Sequence, residues 1–281
     1  MRVAVIFGGN SNEKEVSIHT GLSVVEAIKE DYDVIPINIK DEYVDLNKKL
    51  VDIDVVFIAL HGGYGEDGRL QKYFEKHKIN YTGSNSKASS IAMDKNKTKL
   101  IAQKHNIPIL EWKMLSKNSS QKSSINSIRK LGFPLIIKPN DGGSTIGIQY
   151  VETSQEFNEL LTKAFSHSKN LMIEKYIKAR EISVPILNGE ILPLIEIQPK
   201  GFLYDYDSKY KSDGSSYTVP AEIGDVISRK IANDALTVYK EISCRHYARI
   251  DFLLEGNNYY FLEINTLPGL TSTSLLPKSA K

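Results

Sequence analysis

Apolar residues in the first third of the chain follow two alternating rhythms. RVAVIF at 2–7, DVIPINI at 33–39 and DVVFIAL at 54–60 are short, nearly continuous apolar runs that predict buried strands. Between the first two, EVSIHTGLSVVEAIKE at 15–30 repeats its apolar residues at helical spacing. Strand–helix–strand alternation with short connections predicts a parallel sheet covered by helices. Two Gly-rich turns, GGNSNEKE at 8–15 and HGGYGEDG at 61–68, follow strand carboxyl ends. In an open α/β sheet that edge is where ligands bind.

The rhythm changes at SNSKASSIAMDKNKTK (84–99), which is small, polar and basic, and a boundary is expected near Met93. From 94 to 178 the pattern predicts a small α+β unit. Its expected elements are a helix at 94–105, a strand near 108–114, a helix at 125–131, strands at 135–138 and 148–151, a helix at 154–166 and a strand at 171–175. From 179 to 281 the signals are antiparallel. EISVPIL-NGE-ILPLIEI reads as a hairpin on an Asn-Gly turn, and ARIDFLLE-GNN-YYFLEIN as a second. A helix is expected over 226–246, and the Tyr-, Ser- and Gly-rich stretch at 201–220 is long enough to suggest a functional lid. The expected fold class is therefore α/β, with an N-terminal parallel-sheet domain at 1–93 and two α+β subdomains at 94–178 and 179–281.

Composition narrows the function classes. With 41% hydrophobic and 25% charged residues and a net charge of +2, the chain has no nucleic-acid footprint. The longest apolar runs fall far short of the ~20 residues of a membrane helix, so no membrane partner is expected. The opening MRVAVIFGG is too short to be a secretory core and reads as a first strand. A lone Cys244 excludes internal disulfides and Cys-rich metal cages, and a cytoplasmic setting is expected.

Chemistry concentrates in a few places. Glu263 and Asn265 lie two apart on one expected strand and share a face. A turn at Gly256–Asn257 brings Asp251 close to facing Glu263. Such hard oxygen donors suit Mg²⁺, although three polar residues on a solvated strand face would look the same. In LIIKPNDGGSTIGI (135–148), Lys138 ends a buried strand, and Gly142, Gly143, Ser144 and Gly147 let the backbone approach a polyphosphate. It is not a Walker loop, since no Gly-Lys-Ser/Thr helix start follows, and taken alone it could be a plain hairpin tip. Lys95 opens a helix in the same unit and, by itself, would be a solvated lysine. Glu174 and Lys175 end a strand and Glu181 begins the next. That hinge could present backbone groups to a purine and Glu181 to a ribose, or could be an ordinary linker. Glu13, His61, Lys209 and Tyr210 are candidates for a small substrate. A helix-dipole role for Glu13 and a capping role for His61 are the plain alternatives. Neither a G-x-S-x-G elbow nor an H-E-x-x-H helix is present.

Taken in order, GGNSNEKEVSIHTG, FIALHGGYGEDGRLQ, YTGS, AMDKNKTK, IIKPNDGGSTIG, MIEKYI, EISVPIL, YDYDSKY, RIDFLLE and FLEINTLPGLTSTSLLP resemble the D-alanine–D-alanine ligases of the ATP-grasp superfamily. The resemblance spans essentially the whole chain. It implies a pre-ATP-grasp domain followed by a two-subdomain ATP-grasp unit that holds ATP between antiparallel sheets. It further implies that Lys95 and Lys138 contact the α- and β-phosphates and that the 142–147 loop covers them. Glu174, with backbone groups of Lys175 and Ile177, would read adenine, Glu181 the ribose, and Lys209 would join the nucleotide contacts. Asp251, Glu263 and Asn265 would bind two Mg²⁺ (or Mn²⁺), with Glu263 bridging.

For the substrates, the resemblance implies that Glu13, aided by His61, holds the ammonium of a first D-alanine and is linked to Ser144 and Tyr210. Arg249 and the Gly269 N–H would stabilise a tetrahedral oxyanion, and Ser274 and Leu275 would meet the carboxylate of the second D-alanine. The Tyr-containing lid favours dipeptide over depsipeptide formation. A related D-alanyl-D-lactate or D-alanyl-D-serine ligase, and a non-catalytic ATP-binding module, remain the alternatives at this point. A homodimer is implied by resemblance alone. Family members continue past this point into a final helix, so the chain is expected to be naturally short or truncated.

Overall fold

The computed structural model describes residues 1–40, 46–117, 128, 130–199 and 215–281. The expected helix at 125–131 lies largely outside these residues, as do most of the expected lid, Lys209 and Tyr210. Strands β1 (Arg2–Gly8), β2 (Asp33–Ile39) and β3 (Val55–Ile58) form a parallel sheet in the order β2-β1-β3. Helix α1 (Lys14–Ile28) packs on β1, where Val24 joins Val3, Val5 and Phe7 in an apolar layer. Helix α2 (Arg69–His77) buries Leu70 and Phe74 against Ile6, Val56 and Ile58. This is the parallel, helix-covered N-terminal sheet that the apolar runs predict.

The small-residue stretch after it resolves into two helices rather than a lead-in and one. Asn85 caps α3 (Ser86–Met93) by accepting from the Ala88 N–H at 2.8 Å. Asp94 then turns extended and caps α4 (Lys95–Lys104) by accepting from Lys97 N at 3.1 Å. The Ser and Ala residues of α3 give too weak an apolar period to announce a helix. Strand β4 (Trp112–Ser116) begins later than expected. The preceding residues are claimed elsewhere: Phe261 N donates to Pro108 O at 2.8 Å, and Ile107 is buried under a different sheet.

Two antiparallel sheets follow. Strands β4, β5 (Leu135–Pro139), β6 (Gln149–Val151) and β7 (Asn170–Lys175) are ordered β4-β7-β5-β6. Helix α5 (Phe157–Ala164) covers them through Phe157 and Leu161. The larger sheet contains β8 (Arg180–Leu187), β9 (Glu190–Ile191), β10 (Ile195–Pro199), β11 (Ser215–Thr218), β12 (Tyr247–Glu255) and β13 (Asn258–Asn265). Its order is β11-β10-β8-β12-β13, with β9 paired to β8. The β8–β9 hairpin turns on Asn188 and Gly189, whose φ values are 51° and 81°. Helix α6 (Asp225–Ile242) ends a turn before the expected 246, where Ser243 adopts a left-handed conformation.

The cores cross both expected boundaries, at Met93 and at 178. Ala102 of α4 packs with Ile231 and Val238 of α6 and with Ile250 and Phe261 of the large sheet. By packing, α4 belongs with the last third of the chain rather than with the β4–β7 sheet. Tyr247, Leu267 and Leu276, from the last third, also share a cluster with Ile6 and Phe74 of the first. A short C-terminal helix, α7 (Leu275–Ala280), has no counterpart among the sequence expectations. No described helix is long and apolar enough to cross a membrane.

The contact of α1 with β1 is close enough to need Gly21. A Cβ there would fall inside van der Waals contact with the Phe7 side chain. Gly21→Ala should therefore lower stability by about 1–3 kcal/mol, outweighing the ~1 kcal/mol that alanine gains in helix propensity. The urea midpoint measures it, and a raised midpoint would contradict the packing.

Candidate functional site

The site is assembled from strand register first. In the β12–β13 pair, Arg249 lies opposite Asn265 and Asp251 opposite Glu263. The register then shifts by one, leaving Leu262 as the extra residue of a β-bulge. Ile250, Phe252, Phe261 and Ile264 face the core. Arg249, Glu263 and Asn265 line one cavity, and Leu253, Leu262 and Glu263 line another. The acid pair expected from a hairpin is thus directly paired.

Asp251 is 2% exposed and fully partnered. It accepts from Ser183 Oγ at 2.7 Å and from Arg249 Nε and Nη2, both with Asp251 Oδ2, at 3.1 and 2.9 Å. Glu263 Oε2 is 3.4 Å from Lys95 Nζ, and Asn265 Oδ1 accepts from Leu267 N at 2.8 Å. Among the described residues no three His, Cys, Asp or Glu side chains gather as a metal group. The donor set here is two carboxylates and a carboxamide. These are hard oxygens balanced by cationic side chains, a set that fits a divalent hard cation.

The Gly-rich loop lies over this face. Lys95 Nζ donates to Gly142 O, and Lys95 N donates to Asn140 O at 3.0 Å. Asn140 latches the loop to the start of α4, accepting from Asn96 N and donating to Asp94 Oδ1, each at 2.9 Å. Ser144 and Thr145 have φ values of 48° and 64°, and Ile146 N donates to Gly143 O at 3.1 Å, so the loop tip is a tight turn with two left-handed residues at its centre. Ser144 Oγ donates to Glu13 Oε1, a contact between residues 131 apart in sequence. A Cβ on Gly62 or Gly143 would lie 2.9 or 3.3 Å from Glu13 Oε2, so both glycines admit the carboxylate. Glu13 starts α1 without making a side-chain cap, so its task is tertiary.

His61 is buried beside it and does not cap carbonyls. Its Nε2 lies 2.9 Å from Thr20 Oγ1, and its Nδ1 3.5 Å from Glu66 Oε1. Gly269 packs against Ser274, whose Oγ accepts from Thr271 N at 3.0 Å. Leu275 is buried against Ile195 and Ile197.

These residues line two cavities of about 530 and 430 Å³. The first gathers Glu13, His61, Arg249, Asn265, Gly269, Ser274 and Leu275. Acids at one part and Arg249 at another suit a small zwitterion. The second has Lys138, Glu174, Lys175, Ile177 and Glu181 among apolar walls that include Leu110, Ile136 and Leu253. Lys95, Gly142, Gly143, Ser144 and Glu263 line both cavities. Every candidate residue within the described chain except Asp251 and Gly147 therefore lines one of two adjoining spaces, and Asp251 backs them. Lys175 N donates to Glu111 O at 3.1 Å and is already engaged within the fold.

Two buried charged residues next to the candidate side chains escape sequence reading. Glu66 is 9% exposed beside His61, and Lys99 is fully buried beside Glu174. Lys99 Nζ is 3.0 Å from Glu174 Oε2, while Lys138 Nζ donates to Glu174 Oε1. Only the i+4 spacing from Lys95 hints at Lys99.

Comparison with known proteins agrees with this geometry. A family model described as D-ala D-ala ligase C-terminus matches residues 101–281, and one described as D-ala D-ala ligase N-terminus matches 2–47 and 41–84. The chain belongs to the D-alanine–D-alanine ligase family. D-alanine–D-alanine ligase A of Clostridium perfringens strain 13 is 41% identical over 281 residues, covering all of this chain and 92% of that protein. The crystal structure of D-alanine–D-alanine ligase from Bacillus anthracis matches with a TM-score of 0.90 at 40% identity, covering 100% of this chain and 91% of that one. The same enzyme complexed with ATP matches at a TM-score of 0.88 and 38% identity, with the same coverage. The members of this family that it resembles therefore align along its full length.

The Glu174 environment sets a pH dependence. Burial alone would raise this carboxyl, but the Lys138 and Lys99 ammonium groups outweigh it and hold it at about 2, below the ordinary 4.5. The stability it contributes is thus complete above about pH 4.5 and is lost as pH falls towards 2. Urea midpoints from about pH 5 down to about pH 3 should fall more steeply for the wild-type chain than for Glu174→Gln. Parallel curves would contradict the assignment.

Proposed function

We propose that this chain joins two D-alanines into D-alanyl-D-alanine at the expense of ATP, through a D-alanyl phosphate, in cytoplasmic peptidoglycan precursor synthesis. The observation that carries this reading is the junction of the two cavities. A nucleotide in the second, apolar-walled space would direct its terminal phosphate to Lys95, the 142–144 loop and Glu263. A small amino acid in the first would present its carboxylate to the same groups.

A carboxylate oxygen of the first D-alanine attacks the γ-phosphorus, and the bond to the β-phosphate oxygen breaks. The oxide that would be an impossible leaving group becomes phosphate. Lys138 and Lys95 bind the phosphates, Glu181 takes the ribose hydroxyls, and Glu174 with backbone groups of Lys175 and Ile177 takes the adenine. Asp251, Glu263 and Asn265 would hold two Mg²⁺ (or Mn²⁺), which when bound supply charge neutralisation on the transferring phosphoryl oxygens. Glu13, supported by His61, holds the first ammonium, and its bond from Ser144 closes the phosphate loop over the reacting atoms and excludes water. The amine of the second D-alanine, its carboxylate at Ser274 and Leu275, attacks the acyl carbon. Arg249 and the Gly269 N–H stabilise the oxyanion. Phosphate departs and the new amide nitrogen loses its proton. Lys209 and Tyr210 belong to the same reading as lid residues, and a homodimer is its expected assembly.

Phosphate release from ATP by the purified chain tests the proposal, run with D-alanine, L-alanine and no amino acid. Release should require D-alanine and give D-alanyl-D-alanine; D-lactate outcompeting D-alanine as acceptor at neutral pH would overturn the dipeptide assignment. Within this scheme Glu13→Gln should weaken apparent affinity for D-alanine by about ten- to a hundredfold, the loss of one charge-assisted contact. The KM for ATP should change far less, and equal effects on both would argue against an ammonium site at Glu13.

A further inference from the structure

Lys99 is the unexplained charge in this fold. It lies one turn beyond Lys95 on α4, is fully buried, and has its Nζ 5.7 Å from the centre of the Trp112 ring. Burying a lysine is unfavourable unless its charge is matched. The match is Glu174, which offers Oε2 to Lys99 and Oε1 to Lys138.

Charge counting separates two roles. Glu174 and Lys138 alone would cancel, and a closed neutral pair in the cavity wall would attract polyphosphate weakly. A pair meant only to fill the wall needs no second lysine. With Lys99 the three groups carry a net charge of +1. Lys138 and Glu174 line the second cavity, whereas Lys99 stands behind them, outside its lining. The surplus charge is therefore presented by Lys138. Each Glu174 oxygen also keeps a lone pair, so the carboxylate remains able to accept from a ligand N–H.

We propose that Lys99 is a positioning residue that neutralises Glu174 from behind the cavity wall and fixes its orientation, leaving the charge of Lys138 available to nucleotide phosphates. The inference rests on the reading of the second cavity as the ATP site. Burial works against the Lys99 ammonium and the Glu174 carboxylate supports it. Glu174 is in turn held ionised by both lysines.

The test uses the full chain, ATP with Mg²⁺ as the probe, and calorimetric titration beside steady-state kinetics. Lys99→Met removes the rear charge and should raise the Kd and KM for ATP about tenfold or more, with the KM for D-alanine changed less than about twofold. Lys99→Arg keeps the rear charge and should hold ATP affinity within about threefold of wild type. Lys99→Met with wild-type ATP affinity, or Lys99→Arg binding no more tightly than Lys99→Met, would overturn the inference. Should Lys99→Met not fold, Lys99→Arg decides. ATP affinity near wild type supports the proposal, and a tenfold loss or failure to fold refutes it. A wild-type chain that does not bind ATP would instead reject the nucleotide reading itself, and the inference with it.

Discussion

The register of β12 against β13 is the constraint on which the rest of the site depends. A strand presents alternate residues to opposite faces, so a slip of one would send Glu263 into the core and Phe261 towards the cavities. The apolar residues of both strands, buried under α6 and α4, hold the register. At the bulge two consecutive residues, Leu262 and Glu263, both line the second cavity. One apolar wall residue and one acid thereby sit side by side where the two cavities meet.

Around that face, buried charge is balanced locally. Asp251 is matched by Arg249, Glu263 by Lys95, and Glu174 by Lys138 and Lys99. Unmatched, any of these groups would carry a large desolvation penalty. In the proposed reaction these pairings would allow exchange: a cation would compete for Asp251 and Glu263, phosphate oxygens for Lys95 and the oxyanion for Arg249. A site that binds strongly charged partners in a partly buried space is best held ready by such replaceable partners. The Lys99–Glu174 contact differs because it faces away from the cavity, so a ligand has no means of replacing it.

The second cohesive feature is long-range. The Gly-rich loop is held at one end by the bonds of Asn140 to the start of α4 and near its tip by the Ser144 bond to Glu13, just ahead of α1. The N-terminal sheet and the antiparallel sheets thus meet at the first cavity as well as in the shared core of Tyr247 and Leu267 with Ile6 and Phe74. Displacing α1 would move Glu13 and the Gly-rich loop together, which in the proposed reaction would couple closure over one ligand to occupancy by the other.

Local pattern in the sequence determined the strands of the parallel sheet, the Asn-Gly hairpin, the acid-bearing β12–β13 hairpin and the Gly-rich loop, because each depends on periodicity or turn chemistry over a few residues. The ordered motifs also carried the family. Helix α3, made of small residues, and the short α7 gave no comparable period. The allegiance of α4 to the last third was decided by Ala102 meeting α6, a contact between segments about 130 positions apart that no local pattern encodes. Lys99 and Glu66 looked like any solvated charges in a polar stretch. Only the tertiary structure buries them, because burial depends on which distant surfaces pack above a residue, and the meaning of a charge depends on the partner it finds there.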